Sequence, residues 1–542
     1  MSKDYSFNVM PSVSISRSRF ARKSQHKTTF NLGYLIPIYC DEVLPGDTRS
    51  LDLASLVRMT TPIAPIMDNI YLDIYAFFVP NRIVWDHWKE FMGENNTSAG
   101  IPLVSYSIPF VSATSGHNCQ VGSICDYFGL PVGVTGLFYQ NKISALPFRG
   151  LVKIYNRWFR DQNLIAPLAV QTGDTNEVIV GDLAGTYNEF VRVSSNLLKV
   201  SKLPDYFTKA LPYAQKGTAV SIPLATGYLP LEVKANTGSA ISAGDQIYMF
   251  AQPGGSSIAP GAWGDLSASQ SSSGGSYGDL GVNAALATAA KINELRYAFQ
   301  LQKFLEKDAL YGTRYWEILA AHFGVQSPDS SLQDPEYLGG TRVNINIDQV
   351  LSTAGYDASA SQEVGQVGAN SVTAHKGSLF TKSFTEHGYI FVVCCARHDS
   401  TYGQGINRMW TRQSRYDFYW PVFANLGAQE IKNKEIFAQG SAADDGTFGY
   451  QEAWAEYRYK PSFATGLLRP GVTGSLGFWT LSENFAALPT LGQTFIEQGR
   501  GNFGRAVVTS TTGPDFIGDF YFRDIAVRPM PVYSIPGLID HH

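Results

Sequence analysis

A chain of 542 residues is long enough for two or three ordinary domains, or for one large β domain carrying insertions. Charged residues make up 16% of it and aromatic residues 13%; soluble domains usually carry about 25% charged residues, so much of this surface is expected to be covered by other copies of the chain. A formal net charge of −4 excludes a generally basic nucleic-acid binder and leaves room for a local basic arm.

Residues 1–30 supply that arm. Arg17, Arg19, Arg22, Lys23 and Lys27, with Lys3, stand against a single Asp4, and apolar periodicity is weak. The stretch reads as an extended arm ordered only by contact, either a solvated tail or a strip facing phosphates. From Phe30 the pattern turns to strands over Asn31–Tyr39 and Thr48–Val57. Between them, in Asp41–Asp47, Pro45-Gly46 predicts a type II turn.

Met67–Asn96 is the most informative stretch. Ile70, Leu72, Ile74, Ala76 and Phe78 alternate with Tyr71, Asp73, Tyr75 and Phe77, which predicts a strand with one aromatic face that stops at Pro80. Asn81 is placed to cap a following helix whose single apolar face holds Val84, Trp85, Trp88, Phe91 and Met92, ended by Gly93. So aromatic a helix suggests a joint between subunits, through Trp85, Trp88 and Phe91.

Residues 97–150 read as loops with short strands, and Leu151–Asn163 returns to helical spacing, with Arg157 and Arg160 in surface or intersubunit pairs. Residues 235–290 contain no Lys or Arg and are dense in Gly, Ser and Ala. That composition predicts a long surface insertion, either a spacer or a recognition element with Ser256, Trp263, Ser272 and Tyr277 as its candidate contacts. Lys291–Phe323 is the clearest helix, broken near Gly312 and ended by Gly324. Short strands follow at 342–347, 388–396, 416–423, 456–460, 475–481 and 519–527, and no 20–50-residue period repeats. The expected fold is mainly β, an antiparallel sandwich or jelly roll, divided as 1–30, 31–234, 235–290 and 291–542.

Signals for chemistry are missing. No HExxH, CxxC, P-loop, GxGxxG or GxSxG pattern occurs, so no catalytic, metal or cofactor residues are expected. Asp444-Asp445-Gly446 reads as a turn, and Glu452 with Glu456 is a weak carboxylate pair on an expected strand. His398-Asp399 is expected to cap a turn and His322 to complement a helix dipole. The odd count of Cys40, Cys119, Cys125, Cys394 and Cys395 argues against a disulfide framework and for a reducing compartment. No apolar run approaches about 18 residues, so no membrane insertion is expected, and MSKDYSFNVM carries no secretory signal. The C-terminal third mixes Arg412 and Arg415 with Tyr416, Phe418, Tyr419, Trp420, Trp454 and Tyr457. Such a mixture suits single-stranded nucleic acid or a protein interface, and we assign Tyr416, Trp420, Trp454 and Tyr457 to the interface.

Several runs resemble one family. RSRFARKSQHKTTFNLGYLIPIYCDEVLPGDT (17–48), FFVPNRIVWDHWKEFMGE (77–94), LPFRGLVKIYNRWFRDQNL (146–164), TYGQGINRMWTRQSRYDFYWPVFANLG (401–427) and FGYQEAWAEYRYKPS (448–462) are similar to major capsid proteins of gokushoviruses. Gokushoviruses are microviruses, small single-stranded DNA bacteriophages. The resemblance implies a non-enzymatic subunit with an eight-stranded viral jelly roll carrying loop and helical insertions. It implies a T=1 icosahedral shell around circular single-stranded DNA, and a threefold protrusion used in host attachment, which 235–290 would supply. Implied partners are a scaffolding protein, a DNA pilot protein, a small basic DNA-binding protein and a host-cell receptor. The location would be the virion, after assembly in the host bacterial cytoplasm. The basic run Arg17, Arg19, Arg22, Lys23 and Lys27 is expected to face the DNA. The competing class is a glycan-binding or glycan-cleaving jelly-roll protein, since fold does not fix function.

Overall fold

The computed structural model describes residues 15–94, 106–113, 118–179, 191, 196–218, 220, 231–235, 278–282, 292–310, 314–325, 333–351, 353, 365, 367–508 and 513–533. By internal contacts the chain divides into Met1–Ala214 with Asp308–His542, and Gln215–Lys307.

The larger unit is built on strands β1 (Ser18–Phe30), β2 (Ile36–Val43), β3 (Thr48–Met59), β4 (Ile70–Pro80), β5 (Glu336–Asn344), β6 (Val372–Ser383), β7 (Gly388–His398) and β8 (Phe516–Arg528). They form two four-stranded sheets, ordered β1-β8-β3-β6 and β5-β4-β7-β2, with every neighbouring pair antiparallel. One core draws Leu51, Leu53, Phe520 and Phe522 from the first sheet and Ile74, Ile390 and Val392 from the second. A second cluster, including Phe207, Ile431, Phe448 and Phe495, supports the C-terminal loops.

Local chemistry explains the elements. In β3 Leu51, Leu53, Val57 and Met59 are buried at period two, the signature of a half-covered strand. In β7 every residue but Arg397 is buried, because both faces are covered, so its sequence is a continuous apolar run. Cys394 and Cys395 therefore lie buried on opposite faces as small hydrophobes. Gly46 takes φ 87° in the Pro45-Gly46 turn, a left-handed conformation that costs glycine nothing. Gly339 sits at a bulge in β5 where a Cβ would lie 2.2 Å from the Leu379 carbonyl oxygen, so no side chain fits.

Helices α1 (Leu146–Ile154), α2 (Ile292–Leu310) and α3 (Tyr315–Phe323) are the longest among the described residues. α2 is described to Leu310 and α3 from Tyr315, while the expected break at Gly312 lies outside the described residues; the stop at Gly324, with φ 68°, agrees with expectation. The smaller unit contains the antiparallel pair Leu231–Ala235 and Gly278–Val282.

Six expectations need correction. The basic arm is not free: from Ser18 it is β1, paired with β8 from Ser18↔Arg528 to Phe30↔Phe516. The helix after β4 is split into Asn81–Val84 and Trp88–Phe91, because Trp85 adopts extended angles (φ −147°, ψ 118°) that bury its ring. Pro80, not Asn81, occupies the cap. The helix expected at Leu151–Asn163 begins at Leu146 and finishes as a π-helix over Tyr155–Phe159. The segments 416–423, 456–460 and 475–481 contain short 3₁₀ turns instead of strands, and in the first of them the Ser414 and Asp417 side chains take backbone donors that a ladder would have used. Finally, Cys119 and Cys125 form a disulfide, because the turn entering helix Ile124–Tyr127 brings their Cα atoms to 6.1 Å.

Candidate interaction surfaces

The exposed face assembled from the C-terminal loops is the most conspicuous feature. Asn407 Oδ1 accepts from Met409 N at 3.0 Å, opening the first 3₁₀ turn, Arg408–Thr411. Asp417 Oδ2 accepts from Gln413 N at 2.9 Å and Ser414 N at 2.7 Å, closing the second. Pro421 opens the third. These turns hold Trp410 75%, Tyr416 58%, Phe418 51%, Trp420 51% and Val422 88% exposed, with Tyr457 beside them at 53%. Trp420 is oriented by Nε1 donating to Arg415 O at 2.8 Å.

The platform has a rigid underside. Trp454 is buried, donates Nε1–H to Phe423 O at 2.9 Å, and packs edge-on against Tyr419 at 5.8 Å. Its φ of 66° makes it the sole non-glycine residue in the left-handed region among those described. The Arg412 guanidinium lies 4.5 Å from the Tyr457 ring centroid while its Nη2 donates to Glu456 at 3.0 Å, locking Tyr457 in place. Glu452 and Glu456 are thus spent on separate arginines, Arg458 and Arg412, rather than facing a common substrate.

The first aromatic cluster has a different fate. Trp85 is fully buried and donates Nε1–H to Asp174 Oδ1 at 2.7 Å, Trp88 is half-buried, and Phe91 is 37% exposed. His87 Nδ1 shares the Asp174 carboxylate at 2.9 Å, which raises the imidazole above its usual pKa. Of the seven aromatic residues assigned to subunit contacts, Tyr416, Trp420 and Tyr457 are openly exposed, whereas Trp85 and Trp454 are interior supports. Ser256, Trp263, Ser272 and Tyr277 lie outside the described residues.

The basic residues also divide by strand parity. Arg19, Lys23 and Lys27 are exposed on one face of β1, and Arg17 is exposed just before it. Arg22 points the other way and forms ion pairs with Asp41 and Asp524. Asp524 also accepts from Arg49 Nε at 3.0 Å and from the Tyr39 hydroxyl at 3.0 Å. Arg49 and Asp524 are buried, so each charge is satisfied only by the others. Burial pushes Asp41 up, but its bonds to Arg22 and Arg49 win and hold it below the usual carboxylate range. Arg157 and Arg160 are likewise used internally, on Asp334 and on the Ile165 carbonyl.

Another buried group ties the exit of β7 to the C-terminal loops. Burial lowers the pKa of His398, whose Nδ1 donates to Asp399 O at 2.8 Å while Nε2 lies 2.9 Å from Gln498 Nε2. Lys202 Nζ bonds Glu483 at 2.6 Å close by. His322 bonds Asp308 at 2.7 Å. Sequence reasoning missed a recess of about 660 Å³ walled by Tyr75, Phe77, Trp158 and Tyr337, with Arg314 and Arg397 in its lining. Its walls come from β4, β5 and the π-helix, which nothing in their spacing links. Among the described residues no group of three His, Cys, Asp or Glu side chains is placed to hold a metal ion. None of their helices is long and apolar enough to cross a membrane.

Two antiparallel sheets with an exposed apolar loop surface and interior charges paired with one another fit a structural, interface-building protein. A sequence profile of the family described as Capsid protein (F protein) matches residues 8–538. The chain is 41% identical to capsid protein VP1 of Bdellovibrio phage phiMH2K over 550 residues, covering 98% of this chain and 97% of that one. It is 40% identical to capsid protein VP1 of Chlamydia phage 1 over 590 residues and 34% identical to that of Spiroplasma virus 4 over 566, with the same coverage of both chains. The chain therefore belongs to the F-type capsid protein family, in the gokushovirus-type microvirus branch. It is a structural virion component that assembles into a multimeric shell, and not an enzyme.

Proposed function

We propose that this chain is the major shell subunit of a T=1 icosahedral particle enclosing circular single-stranded DNA. The observation that carries the reading is the exposed platform of Trp410, Tyr416, Phe418, Trp420, Val422 and Tyr457, held rigid over Trp454. Exposed apolar side chains grouped along one loop segment mark an interaction surface, and aromatic side chains with Arg412 and Arg415 are the usual anchors of protein contacts. Strand order supports an eight-stranded jelly roll: numbered along the chain, the sheets run 1-8-3-6 and 2-7-4-5, so the last strand returns between the first and third.

Assembly takes place in the host bacterial cytoplasm with a scaffolding protein, and the mature particle includes a DNA pilot protein and a small basic DNA-binding protein. The 235–290 insertion contacts a host-cell receptor through Ser256, Trp263, Ser272 and Tyr277. Co-expression with the scaffolding protein of the same genome, followed by sedimentation and negative-stain imaging, is expected to give closed shells of one size. A folded monomer under those conditions, with DNA supplied, contradicts the reading. Particles deleted for 235–290 are expected to assemble but to lose attachment; undiminished infectivity would remove the receptor role.

A further inference from the structure

The outward face of the β1-β8-β3-β6 sheet carries a charge opposite to that of the chain as a whole. Register and strand parity place Arg19, Lys23 and Lys27 of β1, Arg523 of β8, Arg58 of β3 and Lys376 of β6 on it, all exposed. Asp52 and Asp519 are its carboxylates. Six cations against two carboxylates give this face +4, on a protein whose formal net charge is −4.

Two details argue that this imbalance is made for a ligand. Lys23 stands directly opposite Arg523 across the β1–β8 pairing. Like charges in that position destabilise an isolated sheet, so keeping them costs stability unless an anion neutralises both. In addition, none of the six cations forms an ion pair among the described residues, although Arg523 is opposite Asp52 across the β8–β3 pairing. On the other side of the same sheet Arg22, Arg49 and Arg528 form ion pairs with Asp524, Asp41 and Asp47.

We propose that this sheet face is a platform for single-stranded nucleic acid, held through its phosphates. The inference rests on the shell reading for the identity of the polyanion, and it adds Arg58, Lys376 and Arg523 while removing Arg22 from the contact set. Arg19, Lys23 and Lys27 follow one another every four residues, about 13 Å along the strand, in a lane that an extended phosphate backbone can track. Tyr521, 37% exposed and opposite Gln25 near the centre, offers a ring on which a base can stack. Because the contacts are to phosphate, binding is independent of sequence and strongly weakened by salt.

The test is fluorescence anisotropy of a labelled oligo-dT on the full-length free chain across a salt series. The variant Lys23→Glu/Lys376→Glu/Arg523→Glu is compared with Lys89→Glu/Lys303→Glu/Lys460→Glu, which makes the same charge change at exposed sites elsewhere. The sheet variant is expected to weaken binding at least about tenfold and to flatten the log–log salt slope by about 2, at roughly 0.7 per lost contact. The corresponding Gln triple variant, which removes charge without reversing it, is expected to fall between that variant and the wild type. Equal losses in both Glu variants would overturn the proposal in favour of net charge alone. Tighter capture of poly-glutamate than of oligo-dT by the same face would overturn it in favour of an acidic protein partner. Binding is read on unassembled protein, so failure to form shells would contradict the shell reading without touching this one.

Discussion

Asp524 shows how much one residue can organise. Its carboxylate receives Arg22, Arg49 and the Tyr39 hydroxyl, joining β1, β2, β3 and β8 at a buried point. Removing it deprives the Arg49 guanidinium, itself 1% exposed, of the one carboxylate that engages both its Nε and its Nη2. Asp524→Ala is therefore expected to cost about 3–5 kcal/mol, read as a lower midpoint in urea unfolding of the unassembled chain. A loss below about 1 kcal/mol would mean that Asp41 and Asp47 can take over. Trp454 works differently: its left-handed backbone aims the indole under Tyr419, and no local signal in EAWAE announces that conformation.

At the scale of elements, legibility depended on whether a strand's inward residues are apolar. The β4 alternation from Ile70 to Phe78 could be read directly, as could the Pro45-Gly46 turn and the helical character of α2 and α3. β1 could not, because its inward positions include Arg22 and His26, which are satisfied by Asp524, Asp41 and the Ile38 carbonyl rather than by apolar packing. The aromatic segments near 416 and 456 carry β propensity yet have no ladder partner, so caps and indole hydrogen bonds decide their shape. The paired strands β1 and β8 lie at opposite ends of the chain, and their register is beyond any local pattern. A truncation tests the reassignment of the arm: deleting residues 1–17 is expected to leave folding intact, whereas deleting 1–30 removes β1. The second change leaves the β8 edge open and Asp524 short of a cation, so insoluble or unfolded protein is expected. Soluble, cooperatively unfolding protein lacking 1–30 would contradict the strand assignment.

At the scale of the molecule, the low charge content and high aromatic content already pointed to a surface built to be covered, and the similarity along nearly the whole chain pointed to a capsid. The missing part was the sorting of aromatics. Trp85 and Trp454 look like contact residues in the sequence but serve the interior, while Trp410 and Val422, not singled out, are the most exposed members of the platform. Burial of a tryptophan depends on where its strand or turn is aimed, which composition does not encode.

We propose that this platform is the contact between copies. The most direct test is the double variant Tyr416→Ser/Trp420→Ser, expressed with the scaffolding protein and examined by analytical sedimentation. Both side chains are more than half exposed in the single chain, so the variant is expected to keep the wild-type unfolding profile and to sediment as small species without shells. Closed shells at wild-type yield would contradict the claim.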